Sequence, residues 1–434
     1  MNENQKGKAS ALLPILVFLV IFLGSGFITG DFYSMPAIVG FLIALFVAFL
    51  QDREHDFNEK IHLIAQGVGD DNIITMCLIF LVAGGFSGAV TAAGGVDSTV
   101  NLGLSILPSN IAVVGLFIIG CFISVSMGTS MGTIAALAPI AVGISEKTGY
   151  SMAICAGAVV GGAMFGDNLS MISDTTIAAV KTQGCEMKDK FKENFLIVLP
   201  AAIITILIFF FITRSGNYQI TEELPYSIWQ VLPYLVVLVG ALIGFNVFLV
   251  LIAGIVLSLI VGVAMGTIPL GDIFKVVASG ADGSGGVMGM YDITVISIVV
   301  ACIVSIVKEM GGILFILEFI KKRIKSKKGG ELGIAVLALL VDMCTANNTV
   351  AIVMAGPIAK EISDDLDISP RRSASLLDMY TSVGQGLIPY GAQLLSAASL
   401  TGLTPYQIIP YCFYPILMGI SGLIFIFFVK RRKA

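Results

Sequence analysis

The stretch Gly166-Asp167-Asn168-Leu169-Ser170-Met171-Ile172-Ser173-Asp174-Thr175-Thr176 decides the fold class, because it places two carboxyl and four hydroxyl side chains inside an apolar segment. Apolar residues flank this stretch on both sides over residues 150–181. Lipid cannot satisfy the backbone groups that a broken helix exposes, so a membrane tolerates such a stretch only where it lines a cavity or binds something. The stretch therefore predicts an interrupted helix at a binding site, provided that the chain spans a membrane.

The composition of the whole chain indicates that it does span a membrane. Of its 434 residues, 56% are hydrophobic and only 12% are charged, and the mean hydropathy is +0.95. A soluble domain carries about twice that charged fraction. The surplus apolar surface must face lipid. We expect an all-α polytopic membrane protein whose main partner is the lipid bilayer, with no nucleic-acid partner.

Apolar segments long enough to cross a bilayer recur along the chain. The candidate spans are 11–29, 36–50, 73–93, 111–145, 150–181, 194–213, 227–244, 246–265, 291–320, 331–363, 370–400 and 407–429. The first is interpreted as a transmembrane helix and not as a signal peptide, because it is long for one and no small-residue cleavage site follows it. Spans 111–145, 150–181, 331–363 and 370–400 are interrupted near their middles by polar, glycine or proline residues.

An internal repeat relates the two halves of the chain. Pro139-Ile140-Ala141 recurs 218 residues later as Pro357-Ile358-Ala359, and the same offset continues without a gap to Gly184 and Gly402. Matching interrupted helices in two halves are typical of a transporter with its binding site at the repeat interface. We therefore predict two inverted repeats of five transmembrane helices each. The first is residues 1–215, with a re-entrant hairpin at 111–145 and a broken helix at 150–181. The second is residues 216–434, with a hairpin at 331–363 and a broken helix at 370–400.

The distribution of basic residues supports this topology. If the hairpins do not cross, the predicted inside segments are 1–10, 51–72, 181–193, 321–330, 360–372 and 430–434, and they hold 21 of the 25 Lys and Arg residues. Cytoplasmic segments carry such an excess of Lys and Arg. We expect a multi-pass protein of a bacterial or archaeal cytoplasmic membrane, with the N-terminus and the C-terminus in the cytoplasm.

The polar stretch of the first half is the predicted cation and proton site. Its candidate ligands are Asp167, Asn168, Ser170, Ser173, Asp174 and Thr175. A hard cation such as Na+ binds through oxygen, and we place Na+ at Asp167. Withdrawal from water favours the protonated acid, so one carboxyl group can hold either H+ or Na+ and thereby couple the two. The alternative is that these residues cap two half-helices, Asp174 above all.

The hairpin tips and the second broken helix offer neutral groups. Thr129, Ser130, Asn347, Asn348, Thr349, Gln385 and Gln393 are the candidates for a substrate site or a second ion site. Asp167 aligns with Gln385, and Asp174 aligns with Ala392, so we expect a charged site in the first half and a neutral, amide-lined counterpart in the second. The alternative for the tips is a turn that binds no ligand.

Other charges also fall within the apolar spans. Glu309, adjacent to Lys308, is a secondary candidate for a cation ligand, with structural pairing or contact with the membrane surface as the alternative. For Asp378 two interpretations stay open: a second cation ligand or substrate contact, and a structural ion pair with Arg371 or Arg372, which precede it by one or two helical turns.

The motifs resemble those of a known family. The segment 165–176, preceded by Gly128-Thr129-Ser130-x-Gly132-Thr133, is similar to the NhaC-type Na+/H+ antiporters of the ion transporter superfamily. Asn347-Asn348-Thr349 and the segment 385–393 fit the second half of that family, so the resemblance covers nearly the whole chain. Met171 departs from it, where the better-known members have proline. The resemblance implies inverted repeats, re-entrant hairpins and elevator-like movement in a homodimer. It also implies a substrate range that includes Na+/H+ exchange, malate/lactate exchange and candidate amino acid carriers.

Several other functions are disfavoured by the sequence. A serine protease needs a base near its nucleophile, but both histidines, His55 and His62, fall in a predicted cytoplasmic loop. No nucleotide-binding G-x-x-x-x-G-K-[ST] motif or T-V-G-Y-G filter is present. We expect no enzyme and no cofactor, with Na+ as the transported or coupling ion. The two remaining hypotheses are a Na+/H+ antiporter and a Na+- or H+-coupled transporter of a small organic solute such as an amino acid or carboxylate.

Overall fold

The structure, a computed structural model, describes residues 7–29, 35–106, 109–171, 173–214, 224–243, 245–280, 283 and 285–428. All regular secondary structure in these ranges is helical. The α-helices are α1 (Leu13–Thr29), α2 (Ala37–Gln51), α3 (Phe57–Val68), α4 (Asp71–Ala92), α5 (Gly95–Ile106), α6 (Ala112–Met127), α7 (Ser130–Thr148), α8 (Met152–Leu169), α9 (Asp174–Gln183), α10 (Met187–Arg214), α11 (Ile228–Ile243), α12 (Val247–Ala264), α13 (Ile273–Ser279), α14 (Tyr291–Glu309), α15 (Gly312–Lys321), α16 (Lys327–Thr345), α17 (Asn348–Asp365), α18 (Pro370–Gln385), α19 (Ala392–Thr401), α20 (Pro405–Ile408) and α21 (Phe413–Phe428). Short 3-10 helices occupy Ala9–Leu12, Ser109–Ile111, Leu270–Asp272, Met288–Met290 and Ile409–Tyr411. The predicted all-α fold class is confirmed.

The 218-residue repeat is visible in the backbone. Both ends of α9 and α19 differ by that offset, and so do the first residues of α7 and α17 and of α8 and α18. Left-handed backbone conformations repeat as well, at Gly128 and Ala346, at Gly149 and Asp367, and at Gly184 and Gly402. The described residues with positive φ that are not glycine are Ala346 and Asp367, and each aligns with a glycine of the first half. The two halves therefore share one backbone plan even where the side chains differ.

Each predicted hairpin is a pair of helices joined by a two-residue turn. After α6 and α16 the chain reverses through a left-handed residue, and the next residue caps the following helix. The Thr129 Oγ1 atom accepts from the Gly132 amide at 3.5 Å, and the Asn347 Oδ1 atom accepts from the Val350 amide at 3.0 Å. These caps satisfy amides that begin a helix without an intrahelical partner. At each tip, the residue directly before the helix, Thr129 or Asn347, thus supplies the cap.

Both broken helices are interrupted within the polar stretches that the sequence marks. Helix α8 continues to Leu169, and α9 begins at Asp174. In the second half α18 continues to Gln385, and α19 begins at Ala392. The side chains of Asp167 and Gln385 therefore project from the last helical turn before each break.

Small residues allow close contact between the hairpin and the broken helix of the first half. Helices α6 and α8 pack on each other along their length. A Cβ atom added at Gly162 would lie 2.5 Å from the Phe117 carbonyl oxygen and 3.1 Å from the Cys121 amide nitrogen. Glycine is needed there because the opposing atoms belong to backbone.

Several helices have the length and composition of membrane spans. Among the described residues, five stretches qualify, namely Ile73–Ala92, Met152–Gln183, Met187–Arg214, Val247–Ala264 and Met288–Glu309. A sixth would be Pro405–Tyr411 together with Phe413–Phe428, which are bent by 53°. The apolar helices Ala9–Phe22, Ile38–Gln51, Ala112–Val125 and Ile228–Gly240 are shorter. The protein is a multi-pass membrane protein, and the number of ten crossings, the re-entrant hairpins and the repeat boundaries at 1–215 and 216–434 stay predictions.

Two predicted spans need correction, and one helix falls outside the predicted spans. Span 291–320 is two helices, because Gly311 adopts φ 83° between α14 and α15. The first-half counterpart of α15 is α5. This short helix falls outside the predicted spans, because it carries polar side chains such as Asp97, Ser98 and Asn101. Span 407–429 is interrupted at Ile409–Tyr411, whereas the equivalent α10 is one continuous helix.

Contacts at the helix ends separate the connecting segments into two groups. The predicted inside segments contact one another through Lys8 and Glu54 at 2.8 Å, Lys360 and the Gln183 carbonyl at 3.3 Å, Lys328 and the Phe427 carbonyl at 2.7 Å, and Lys321 and Glu361. The predicted outside segments do the same through Lys147 and Asp97 at 3.6 Å and through Asn101 and the Pro225 carbonyl at 2.7 Å. This grouping agrees with the predicted topology, and the side on which each group lies stays a prediction.

Candidate functional site

The two hairpin tips and the two broken helices surround one cleft. It encloses about 600 Å³ of space, part of which is open to the outside. Its lining includes, from the predicted candidates, Asp167, Ser173, Asp174, Thr175, Thr129, Ser130, Asn347, Asn348, Thr349, Gln385 and Gln393. Both repeats contribute, so the cleft exists only where the two halves meet.

The carboxylate of Asp167 is the most densely contacted polar group of this cleft. Its side chain is 4% exposed. Ser173 Oγ donates to Oδ1 at 2.7 Å, and Ser130 Oγ lies 3.1 Å from Oδ2. Asn348 Nδ2 lies 3.4 Å from the same Oδ2. The Asp167 carboxylate therefore contacts the α8–α9 break and both hairpin tips.

A second layer of polar groups surrounds these contacts. Ser173 Oγ is 2.9 Å from Thr175 Oγ1, and Gln393 Nε2 donates to Ser130 Oγ at 3.2 Å. Carboxylate, hydroxyl and amide oxygens within one small volume are the donor set that hard cations prefer. Within the described part of the chain, no lysine or arginine forms an ion pair with Asp167. The charge of this carboxylate is thus left for a cation or a proton to neutralise.

Other predicted ligands lie differently. Asp174 is exposed in the first turn of α9, where it lines the cleft and suits the positive end of the helix dipole; it is not the cap, because Ser173 occupies the N-cap position and no side-chain cap hydrogen bond forms there. Ser170 ends α8, with its amide donating to the Gly166 carbonyl at 2.8 Å, and it does not line the cleft. Asn168 also points away, donating from Nδ2 to Ser382 Oγ.

Lys190 is a residue that the sequence analysis did not single out. The run Lys188 to Lys192 was assigned to a predicted inside loop, but α10 already begins at Met187, and the Lys190 side chain is 1% exposed. Its Nζ atom donates to the Asn168 carbonyl at 2.8 Å, to Thr176 Oγ1 at 2.9 Å and to Asp378 Oδ2. A basic run at a helix start gives no local signal that one of its members is buried.

The ion pair predicted for Asp378 is therefore wrong. Asp378 pairs with Lys190 of the first repeat, whereas Arg372 pairs with Glu193 at 3.1 Å and with Glu331 at 3.2 Å. Spacing along one helix predicted a local pair, but α10 and α18 pack against each other and supply partners from distant parts of the chain.

The second half contributes neutral residues to the lining of the cleft, as the alignment indicated, but an acid is buried next to one of them. Gln385 occupies the position equivalent to Asp167, and its Nε2 donates to Asp342 Oδ1 at 2.9 Å. Asp342 lies on α16 with no exposed side-chain area, at the position equivalent to Ser124. The acid that contacts Gln385 thus lies on the second hairpin, whereas the acid of the first-half site, Asp167, lies on the broken helix.

Glu309 does not line the cleft. It ends α14, next to the left-handed Gly311 and near the start of the chain, where the Lys8 amide donates to the Gly311 carbonyl at 3.2 Å. This position separates the secondary candidate from the other predicted ligands.

Comparison with known proteins identifies similar transport proteins. A Na+/H+ antiporter of Alkalihalophilus pseudofirmus, NhaC, is 24% identical, and the alignment covers 98% of this chain and 96% of that protein. A malate-2H+/Na+-lactate antiporter of Bacillus subtilis is 23% identical, with 92% and 91% covered. The solved structure of the Alcanivorax borkumensis YdaH transporter is similar over 96% of this chain and 98% of that one, at 14% identity and a TM-score of 0.44.

The family profile matches the chain twice in succession. The description of the Na+/H+ antiporter family fits residues 8–214 and again residues 213–430. Two consecutive matches cover almost the whole sequence and divide it where the 218-residue repeat does. The chain belongs to the Na+/H+ antiporter family.

Proposed function

We propose that this protein is a secondary active transporter that exchanges Na+ for H+ across a bacterial or archaeal cytoplasmic membrane. The observation that carries the proposal is the Asp167 carboxylate, which lies buried between both hairpin tips without a cationic partner among the described residues. In this scheme the protein works by alternating access, elevator-like and as a homodimer, with both termini in the cytoplasm. It acts as a carrier and not as an enzyme, and it needs no cofactor.

The shared carboxylate explains how the two ions are coupled. Moving an ionised and unpaired carboxylate through a low-dielectric region costs several kcal/mol. Either Na+ or H+ removes that charge, so the site crosses the barrier only when it is loaded with one of them. In the Na+ state the oxygens of Ser130, Ser173, Thr175 and Asn348 complete the coordination. In the H+ state the same hydroxyl groups donate hydrogen bonds to the carboxyl group or accept one from it.

The transport of an organic solute is the second candidate function. The cleft is lined by neutral amide and hydroxyl side chains from both repeats as well as by carboxyl groups, and this mixed polar lining suits a small organic solute. The Oε1 atoms of Gln385 and Gln393 have no hydrogen-bond partner among the described residues. These amides suit the ammonium or hydroxyl groups of an amino acid or hydroxycarboxylate. The antiporter from Bacillus subtilis shows that a relative carries such solutes.

One experiment separates the two functions. Purified protein is reconstituted into proteoliposomes that contain a pH-sensitive dye, and a Na+ gradient is imposed with no organic solute present. We expect a Na+-driven pH change that is lost in Asp167→Asn, while the thermal unfolding midpoint of this near-isosteric variant stays close to that of the wild type. A flat trace from folded wild-type protein, followed by a pH change when malate, lactate or an amino acid is added, would favour the second function.

A further inference from the structure

The break between α8 and α9 exposes a backbone carbonyl group whose hydrogen-bond donors come from residues that do not line the cleft. The last carbonyl groups of a helix have no intrahelical partner. The Asn168 carbonyl is one of them, and it follows directly after Asp167 in the chain. Two side chains of α10 donate to it, Lys190 Nζ at 2.8 Å and Asn194 Nδ2 at 2.8 Å. The backbone next to the Asp167 carboxylate is therefore held by hydrogen bonds from α10.

Lys190 joins three elements at this point. Its ammonium group contacts the end of α8 through the Asn168 carbonyl, the first turn of α9 through Thr176 Oγ1, and α18 of the second repeat through Asp378. An ammonium group has three donors, and these three acceptors occupy all of them. Both charged side chains are almost fully buried, at 1% and 0% exposure.

An ion pair in this environment is poor evidence for stability alone. Desolvating two charges offsets much of their attraction, and apolar replacements of buried pairs are often neutral or stabilising. A buried pair that satisfies freed helix-end groups, by contrast, fixes local geometry. Groups behind the direct ligands of an ion orient those ligands, and their loss typically weakens binding about 10- to 100-fold.

We propose that Lys190, held by Asp378 of the opposite repeat, is a positioning residue that fixes the α8–α9 break and so sets the Na+ affinity of Asp167. This inference rests on the proposed function. It goes beyond it by assigning the affinity of the first-half site to a charge pair that spans both repeats. Lys190 itself does not line the cleft.

The test uses a neutral double variant to separate positioning from charge balance. Lys190→Met alone leaves Asp378 buried and unpaired, so we expect a thermal unfolding midpoint several degrees lower. Lys190→Met/Asp378→Asn removes both charges, and we expect it to regain most of that loss. Its Na+ concentration for half-maximal exchange should stay raised by about 10-fold or more, with the maximal rate largely retained.

Glu193→Gln is the matched control. Glu193 lies three residues further along α10 and contacts Arg372 of the same α18, but among the described residues it forms no ion pair or side-chain hydrogen bond with the break. This variant should keep the wild-type Na+ dependence. Thr176→Val is a second, uncharged probe that removes one acceptor of Lys190, and we expect a rise of about threefold in the half-maximal Na+ concentration.

The outcomes are distinguishable. Wild-type Na+ dependence in the double variant, or in Thr176→Val if the double variant does not fold, would overturn the proposal while leaving Na+/H+ exchange in place. Na+-dependent thermal stabilisation, measured in detergent on the same variants, reads binding without transport and should weaken in parallel. Wild-type protein that neither exchanges nor binds Na+ would remove the proposed function and this inference with it.

Discussion

Three side chains aim hydrogen-bond donors at Asp167, and their distances rank their expected importance. Ser173 is closest at 2.7 Å, Ser130 follows at 3.1 Å, and Asn348 is at 3.4 Å. Hydrogen bonds to charged groups contribute about 1.5–3 kcal/mol, and they weaken as the distance grows. These distances therefore predict how strongly each side chain organises the proposed ion site.

We expect Na+ affinity to follow this order when each side chain is truncated. Ser173→Ala should raise the half-maximal Na+ concentration by about 10- to 100-fold, Ser130→Ala by less, and Asn348→Ala by less than about fivefold. Proteoliposome exchange assays over a Na+ series measure these values. An Asn348→Ala protein that fails to fold would instead indicate that Asn348 belongs to a turn that serves stability.

At the residue scale, the sequence predicted the groups that share one motif and missed those joined by tertiary packing. Asp167, Ser173 and Thr175 stand within nine residues, so their chemistry could be recognised together. Lys190 and Asp378 are 188 positions apart and lie on helices whose packing no local pattern reveals. The hydrogen bond between Asp342 and Gln385 likewise depends on how α16 lies against α18.

At the element scale, the α6–α8 contact makes a prediction with an internal control. Gly162 on α8 faces backbone atoms of α6, whereas an added Cβ atom at Gly115 on α6 would meet nothing within 4 Å. Gly162→Ala should therefore lower stability by several kcal/mol, because helix backbones must separate. Gly115→Ala should be neutral or stabilise by up to about 1 kcal/mol.

Thermal unfolding in detergent, read by loss of monodisperse protein, compares these two variants. Similar midpoints for both would show that α6 and α8 are not packed as closely as described. The same pair tests function, since the hairpin tip at Ser130 depends on this contact for its position and should lose Na+ affinity only in Gly162→Ala.

The position of a hairpin turn was predictable where the sequence places a glycine at the turn. The turn at Gly128 follows from a residue that readily adopts the left-handed conformation. The equivalent turn at Ala346 has no glycine, and the sequence marks it only by the polar residues that follow and by the 218-residue alignment, since alanine rarely adopts φ 49°. Helix α5 escaped prediction because it is 12 residues long and its polar side chains interrupt the apolar run.

At the scale of the whole molecule, the two groups of connecting segments should lie on opposite sides of the membrane. Lys325 and Glu146 are exposed representatives of the predicted inside and outside groups. A cysteine at Glu146 should react with a membrane-impermeant maleimide in intact cells, and one at Lys325 should react only after permeabilisation. The parent protein, whose cysteines are buried or partly buried, serves as background. The reverse pattern would invert the predicted orientation.

The large-scale plan was the most predictable part of the protein, because a repeat of half the chain constrains many elements at once. The helices α7, α8 and α9 and their partners α17, α18 and α19 follow the offset almost without deviation. What the repeat could not give is where the halves diverge. Helix α10 is continuous, whereas its counterpart bends by 53° between residues 411 and 413.

The pair formed by Lys190 and Asp378 has a consequence for the order of events at the ribosome. Synthesis proceeds at about 5–20 residues per second, so Asp378 follows Lys190 by on the order of 10 to 40 seconds. Until then Lys190 has no counter-charge, and burying it alone would be strongly unfavourable. The start of α10 must remain near the aqueous surface during that interval, and the ion site of the first half closes only after most of the second half has been made.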